Sequence, residues 1–190
     1  MNILVLQHLK IEDPGYIKDL MLADGVKLTT IELDEGEKIP NNLSQFAGMF
    51  CMGGPIDTYM EKEYPWLIEE KKAIKEFVVD LKKPYLGFCL GCQLLGEVVG
   101  GKVVKSSPAE IGIMDINFSK EKNEDRLFSE FPKKIKSLQW HSYEVQGIED
   151  NKDITLLASS PITKYQIFLK HPLPTDLQVL FYILEHIPTH

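Results

Sequence analysis

Between Gly87 and Gly91 the chain reads Gly-Phe-Cys-Leu-Gly, with Cys89 at the centre. A cysteine with a small residue two positions before and two after, between an apolar run and a helical pattern, has the form of a nucleophile elbow. The turn must be tight, which is why the flanking positions are small. It lifts the sulfur above the sheet edge and aims the N-terminus of the next helix at it. The partial positive charge there favours the thiolate, the reactive form. The amide of Leu90 then points where an oxyanion would develop on an acyl substrate. The chemistry expected is nucleophilic attack on a carbonyl through a covalent thioester.

Three other readings compete for the same residues. Free cysteine is commonly an inert core residue, but glycines at both offsets argue for a shaped turn. Cys89-Leu90-Gly91-Cys92 is also a C-x-x-C, the spacing of a redox pair. That pair belongs to small domains with little chain before it, whereas three β-units precede this one. One such pair is half a zinc site, and no second pair follows.

The elements around this turn alternate in the first half. Residues 2–7 form a continuous apolar run and read as a buried strand. Residues 14–23 are expected to be helical and to end at Asp24-Gly25. Residues 26–33 and 46–52 read as strands, the second cut off by Gly53-Gly54-Pro55. A long helix follows, with Leu67, Ile74, Phe77, Val78 and Leu81 on one face and Glu69, Glu70, Lys72, Glu76 and Asp80 largely outside it. Residues 84–88 lead into Cys89, and residues 90–99 are helical up to Gly100-Gly101, a C-cap signal. Strands alternating with helices predict an α/β fold with an open, mostly parallel sheet flanked by helices. The second half predicts an added antiparallel portion, with strands over 102–104, 111–118, 135–140, 154–158 and 164–168. Residues 125–131 make at most a helical turn or two, and 119–125 a polar loop.

Composition narrows the classes. At 190 residues the chain suits one domain rather than two. Its formal charge of −7, from 28 acidic and 21 basic residues, gives no electrostatic support for nucleic-acid binding. Lys71-Lys72 and the lysines at 133, 134 and 136 read as solvated faces. The apolar run at 2–6 is too short for a signal-peptide core, and no stretch approaches the roughly 20 apolar residues of a membrane helix. Three cysteines without a leader point to reduced thiols and a cytoplasmic location.

Pro84-Tyr-Leu-Gly-Phe-Cys-Leu-Gly-Cys-Gln-Leu-Leu95, followed by Gly100-Gly101-Lys-Val103, resembles the nucleophile motif of class I (triad) glutamine amidotransferases. Met52-Gly53-Gly54-Pro55 with Glu63-Tyr-Pro-Trp-Leu67 resembles that family's oxyanion-loop region. Gln139-Trp140-His141-Ser142 resembles the Trp-His motif of its GMP-synthase-like, stand-alone members. Residues 157–160 and 165–168 resemble the strand pair that follows. The match runs in order from residue 1 to about residue 168. It implies a flavodoxin-like fold and a thioester route from glutamine, or a related γ-glutamyl amide, to free ammonia. The amides of Gly54 and Leu90 would form the oxyanion hole, with Gly53 allowing close approach and Gln93 holding substrate or loop. No metal or organic cofactor is implied. The ammonia acceptor would be a separate synthetase subunit, since the chain carries no P-loop.

The resemblance breaks at the general base. The family supplies histidine and glutamate from Gln-Phe-His-Pro-Glu at the end of a late strand, and this sequence has no such run. His186 is the assigned base. It follows the apolar run 177–184 and lies 97 residues after Cys89. That run could be the last strand or a short helix. His171 is the alternative, because it precedes a proline. His8 is read as a polar strand-end residue, His141 as part of the Trp-His motif, and His190 as terminal. The single domain thus carries an atypical tail over 169–190, such as a shifted reading frame or a truncated end would give. A non-catalytic, binding or regulatory relative is the alternative function.

Overall fold

In the computed structural model the described residues are 1–125, 127–171 and, as backbone, 178–181. They form one nine-stranded sheet. Strands β1 (Asn2–Gln7), β2 (Lys27–Glu32), β3 (Gly48–Cys51) and β4 (Tyr85–Phe88) are mutually parallel. Helices α1 (Gly15–Ala23), α2 (Trp66–Lys75) and α3 (Leu90–Val98) follow β1, β3 and β4, and a π turn over Glu76–Asp80 prolongs α2. The long strands β5 (Lys102–Phe118) and β6 (Lys134–Gln146) make an antiparallel ribbon, continued by β7 (Ile154–Ser159) and β8 (Ile167–Lys170).

The last described strand, β9 (Gln178–Phe181), joins the two halves. It lies parallel to β4 and antiparallel to β8, giving the order β2-β1-β3-β4-β9-β8-β7-β5-β6. The parallel half therefore runs in the doubly wound order of flavodoxin-like sheets, with β9 as its fifth strand. The apolar run after residue 177 is thus a strand over its described part, not a helix.

Both faces of the inner strand β1 are buried, which explains why it reads as an unbroken apolar run. Leu4, Leu6, Met49 and Cys51 face α2 and α3 with Leu67, Ile74, Phe77, Leu90 and Leu94. Ile3, Val5, Phe50 and Leu86 lie on the other side with Ile116, Phe128 and Leu157. No helix among the described residues is long and apolar enough to cross a membrane.

Several expectations need correction. The strands expected at 102–104 and 111–118 are one element, interrupted by a register shift between Lys105 and Glu110. Strand β8 begins at Ile167, three residues later than expected. Lys71 is not a solvated face. Its ammonium binds Glu61 and Glu97, each at 2.8 Å, and the Thr58 carbonyl at 2.8 Å.

Candidate active site

In a parallel sheet the carboxyl ends of the strands share one edge, where ligands bind. Here β1 delivers His8 to that edge, β3 delivers Met52-Gly53-Gly54, and β4 delivers Cys89. Cys89 sits at φ 46° and ψ −102°. A non-glycine residue there costs about 1–3 kcal/mol and persists only where its surroundings impose it. The surroundings do impose it. A Cβ on Gly87 would lie 2.7 Å from the Gly91 carbonyl carbon, and one on Gly91 would lie 2.2 Å from the Cys51 carbonyl oxygen. The Gly91 N–H donates to the Met52 carbonyl at 3.2 Å, and the Tyr85 hydroxyl donates to the Gly91 carbonyl at 2.8 Å. The turn is thereby clamped to β3 and β4.

Gly53 and Gly54 lie against this turn. A Cβ on Gly53 would be 3.6 Å from Cys89 Cβ and 2.9 Å from Glu12 Oε2. One on Gly54 would be 2.9 Å from His8 Cβ and 3.2 Å from a Leu90 methyl. Leu90 opens α3, so its N–H has no acceptor within the helix. Cys89, Gly53, Gly54 and Leu90 are thus brought together. Gln93, one turn along α3, is buried at 5% exposure, not on the helix surface. Cys92 is fully buried in the core beside Cys51, while Cys89 is partly exposed, which does not favour a redox pair.

The loop after Gly54 is tied down by polar contacts. Thr58 Oγ1 donates to Glu97 Oε1 at 2.7 Å, and the Lys71 contacts join the same carboxylate to Glu61 and the Thr58 carbonyl. Tyr59 meets Tyr143 of β6, hydroxyl to hydroxyl at 3.1 Å.

The histidines divide by edge. His186 lies outside the described residues. Phe181 pairs with Phe88, so β9 ends level with the residue before Cys89. Strand β8 runs the other way, pairing Ile167 with Phe181. His171, just past its far end, therefore sits at the opposite edge of the sheet from Cys89. His141 is buried on β6 beside Glu110, at 3.2 Å, while its neighbour Trp140 points outward at 56% exposure.

Sequence reasoning missed one group at this edge. His8 is buried, stacked on Trp66 with ring centroids 5.4 Å apart. Its Nδ1 lies 2.8 Å from the Gly53 carbonyl oxygen and its Nε2 2.8 Å from Glu70 Oε1. A carbonyl and an ionised carboxylate only accept, so with Glu70 charged both ring nitrogens donate and the ring holds both protons. Burial alone would lower the His8 pKa, but the Glu70 charge and hydrogen bond and the Gly53 carbonyl outweigh it and raise it. Cys51 Sγ also donates to Glu70 Oε1, at 3.2 Å, and burial followed by the Glu70 charge pushes that thiol well up. The three side chains lie close enough to suggest a metal site. However, ligands at about 2.0–2.3 Å around a tetrahedral ion sit about 3.3 Å or more apart, and His8 and Glu70 are at hydrogen-bond distance. The signal for Glu70 was its spacing, three residues after Leu67 and four before Ile74, on the buried face.

The site thus sets a cysteine on a tight strand-to-helix turn against two glycines, at the carboxyl edge of an open α/β sheet. The family described as glutamine amidotransferase class-I matches residues 16–171, and the chain belongs to that family. A glutamine-hydrolyzing GMP synthase of Borreliella burgdorferi is 35% identical over 105 residues, 55% of this chain and 19% of that enzyme. The chain thus matches about a fifth of its length. In Sulfolobus acidocaldarius, one subunit of a glutamine-hydrolyzing GMP synthase is 27% identical over 86% of this chain and 76% of its own. The crystal structure of a glutamine amidotransferase from Thermotoga maritima superposes with a TM-score of 0.84 at 25% identity, over 97% of this chain and 75% of that one.

Proposed function

We propose that this chain hydrolyses the side-chain amide of glutamine, or of a related γ-glutamyl compound, and releases ammonia. The observation that carries this reading is Cys89 at φ 46° with its Cβ 3.6 Å from where a Gly53 side chain would begin. The Cys89 thiolate attacks the amide carbon, and the carbonyl oxygen becomes an oxyanion held by the amides of Gly54 and Leu90. The carbon–nitrogen bond breaks as a general acid protonates the leaving nitrogen, giving ammonia and a γ-glutamyl thioester. Water, deprotonated by the same group, then attacks the thioester and returns the cysteine. His186 is assigned as that group, five residues beyond the end of β9. The reaction proceeds on the thiolate and backbone amides and calls on no cofactor. Relatives that are named as one subunit of a GMP synthase support a separate synthetase chain as ammonia acceptor.

The test is ammonia release from glutamine by wild type, Cys89→Ala and His186→Ala. Loss in both variants is expected. Loss in Cys89→Ala alone would move the base elsewhere. No release from wild type, with slow alkylation of Cys89 by a glutamine analogue, would instead favour a binding relative.

A further inference from the structure

The His8–Glu70 pair lies against the Gly53-Gly54 segment that approaches Cys89 and is absent from the chemistry above. Both His8 nitrogens are occupied, by the Gly53 carbonyl and by Glu70, so the ring has no free nitrogen for the Cys89 proton. What it does hold is one particular peptide. The only cis peptide among the described residues is Ser107-Pro108, so the Gly53–Gly54 bond is trans. In a trans peptide the carbonyl and the following N–H point in opposite directions. A carbonyl pinned to His8 therefore turns the Gly54 N–H away from His8. Glycines lack the side chains that would otherwise restrict this peptide, so its orientation needs an external hold.

We infer that His8, braced by Glu70, is a positioning residue that holds the Gly53–Gly54 peptide with its N–H presented to the oxyanion. The brace is built for this. Glu70 is fully buried on α2 and accepts from both His8 and Cys51, and Trp66 stacks on the imidazole at an interplanar angle of 17°. The groups facing His8 are Glu70 and Trp66 from α2, Cys51 from β3 through Glu70, the Gly53 carbonyl, and the Glu12 carboxylate from the loop after β1. The inference rests on the thioester reading, because an oxyanion must form for the hole to matter.

The test uses two reagents on Cys89. A chloroketone analogue of glutamine places its carbonyl oxygen in the hole, whereas iodoacetamide needs no hole. In His8→Ala the chloroketone rate and kcat are expected to fall on the order of 10²-fold, the usual effect of losing one oxyanion donor. KM and the iodoacetamide rate should change little, which also shows that the variant is folded. His8→Asn, which keeps a donor near the Nδ1 position, should recover most of the loss. Glu70→Gln supplies a second readout. When His8 loses a proton beside a carboxylate, its one N–H goes to the charge and the Gly53 carbonyl is released. Wild-type kcat is therefore expected to fall on the alkaline side, and because a carboxamide can donate to Nε2 instead, that fall should move to higher pH in Glu70→Gln. Equal chloroketone rates in wild type and His8→Ala would overturn the inference. So would a wild type whose chloroketone rate does not exceed its iodoacetamide rate. A wild type inactive on glutamine whose chloroketone rate still depends on His8 would sink the glutaminase reading and leave the inference standing.

Discussion

Gly91 has no room for one further carbon. A Cβ there would lie 2.2 Å from the Cys51 carbonyl oxygen, and backbone cannot move aside as the tip of a side chain can. Gly91→Ala should therefore cost about 3 kcal/mol or more, seen as a lowered denaturation midpoint, and should slow alkylation of Cys89 by displacing the turn. This part of the site was legible in the sequence because it is local: the glycines that make the turn sit two residues from Cys89. The His8–Glu70 pair was not legible, since its members are 62 residues apart and each alone is ordinary. The type of Glu70 points to the polar face of its helix, whereas its spacing from Leu67 and Ile74 points to the core, and the spacing wins. Its partner also sets a pH dependence. The His8 pKa is raised in the folded state, so the pair's contribution to stability is complete below the unfolded value of about 6.5. It is lost as pH rises through the higher folded value. Denaturation midpoints should decline above neutrality in wild type and less steeply in His8→Asn.

At the scale of elements, the short-range pattern carries the parallel half nearly residue by residue and the antiparallel half only in pieces. Strands β1, β3 and β4 are largely buried and read as apolar runs bounded by turn residues, whereas the edge strand β2 has no buried residue and reads by alternation. Strand β5 is longer than either apolar run in it, because Ser106-Ser107-Pro108-Ala109 continue the strand through a shift in register. That irregularity sets Glu110 in a buried network. It accepts from Ser160 and Gln166 and lies 3.2 Å from His141 Nε2. The network ties β5, β6 and the approach to β8 together. Burial would raise the Glu110 pKa, but hydrogen bonds from His141 and Ser160 outweigh it and lower it. Its contribution is therefore present above the ordinary carboxylate value of about 4.3 and lost as pH falls through the lower folded value. Glu110→Ala leaves buried donors unpaired and should cost about 3 kcal/mol in denaturation at pH 7, with a smaller difference from wild type in acid.

For the whole molecule, everything turns on a strand of four residues. Among the described residues, β9 is the one element that hydrogen-bonds the parallel half to the antiparallel half in the middle of the sheet, between β4 and β8. The sequence leaves this run open between strand and helix, because about four to eight apolar residues fit either period and only a vacant place beside β4 decides. The same strand ends level with Phe88, at the edge that carries Cys89. Two truncations separate its structural task from the chemical one. Ending the chain after His171 removes β9 and leaves inner edges of β4 and β8 without a ladder partner, so the protein should lose cooperative unfolding or aggregate. Ending it after Phe181 keeps the sheet. That shorter chain should melt cooperatively and still react with iodoacetamide at Cys89, yet release no ammonia from glutamine. If it does release ammonia at the wild-type rate, the proton carrier lies before residue 182 and the assignment of His186 fails. Restoring residues 182–190 with His186 replaced by alanine then distinguishes the histidine from the rest of the segment, since only loss of that imidazole should keep ammonia release at background.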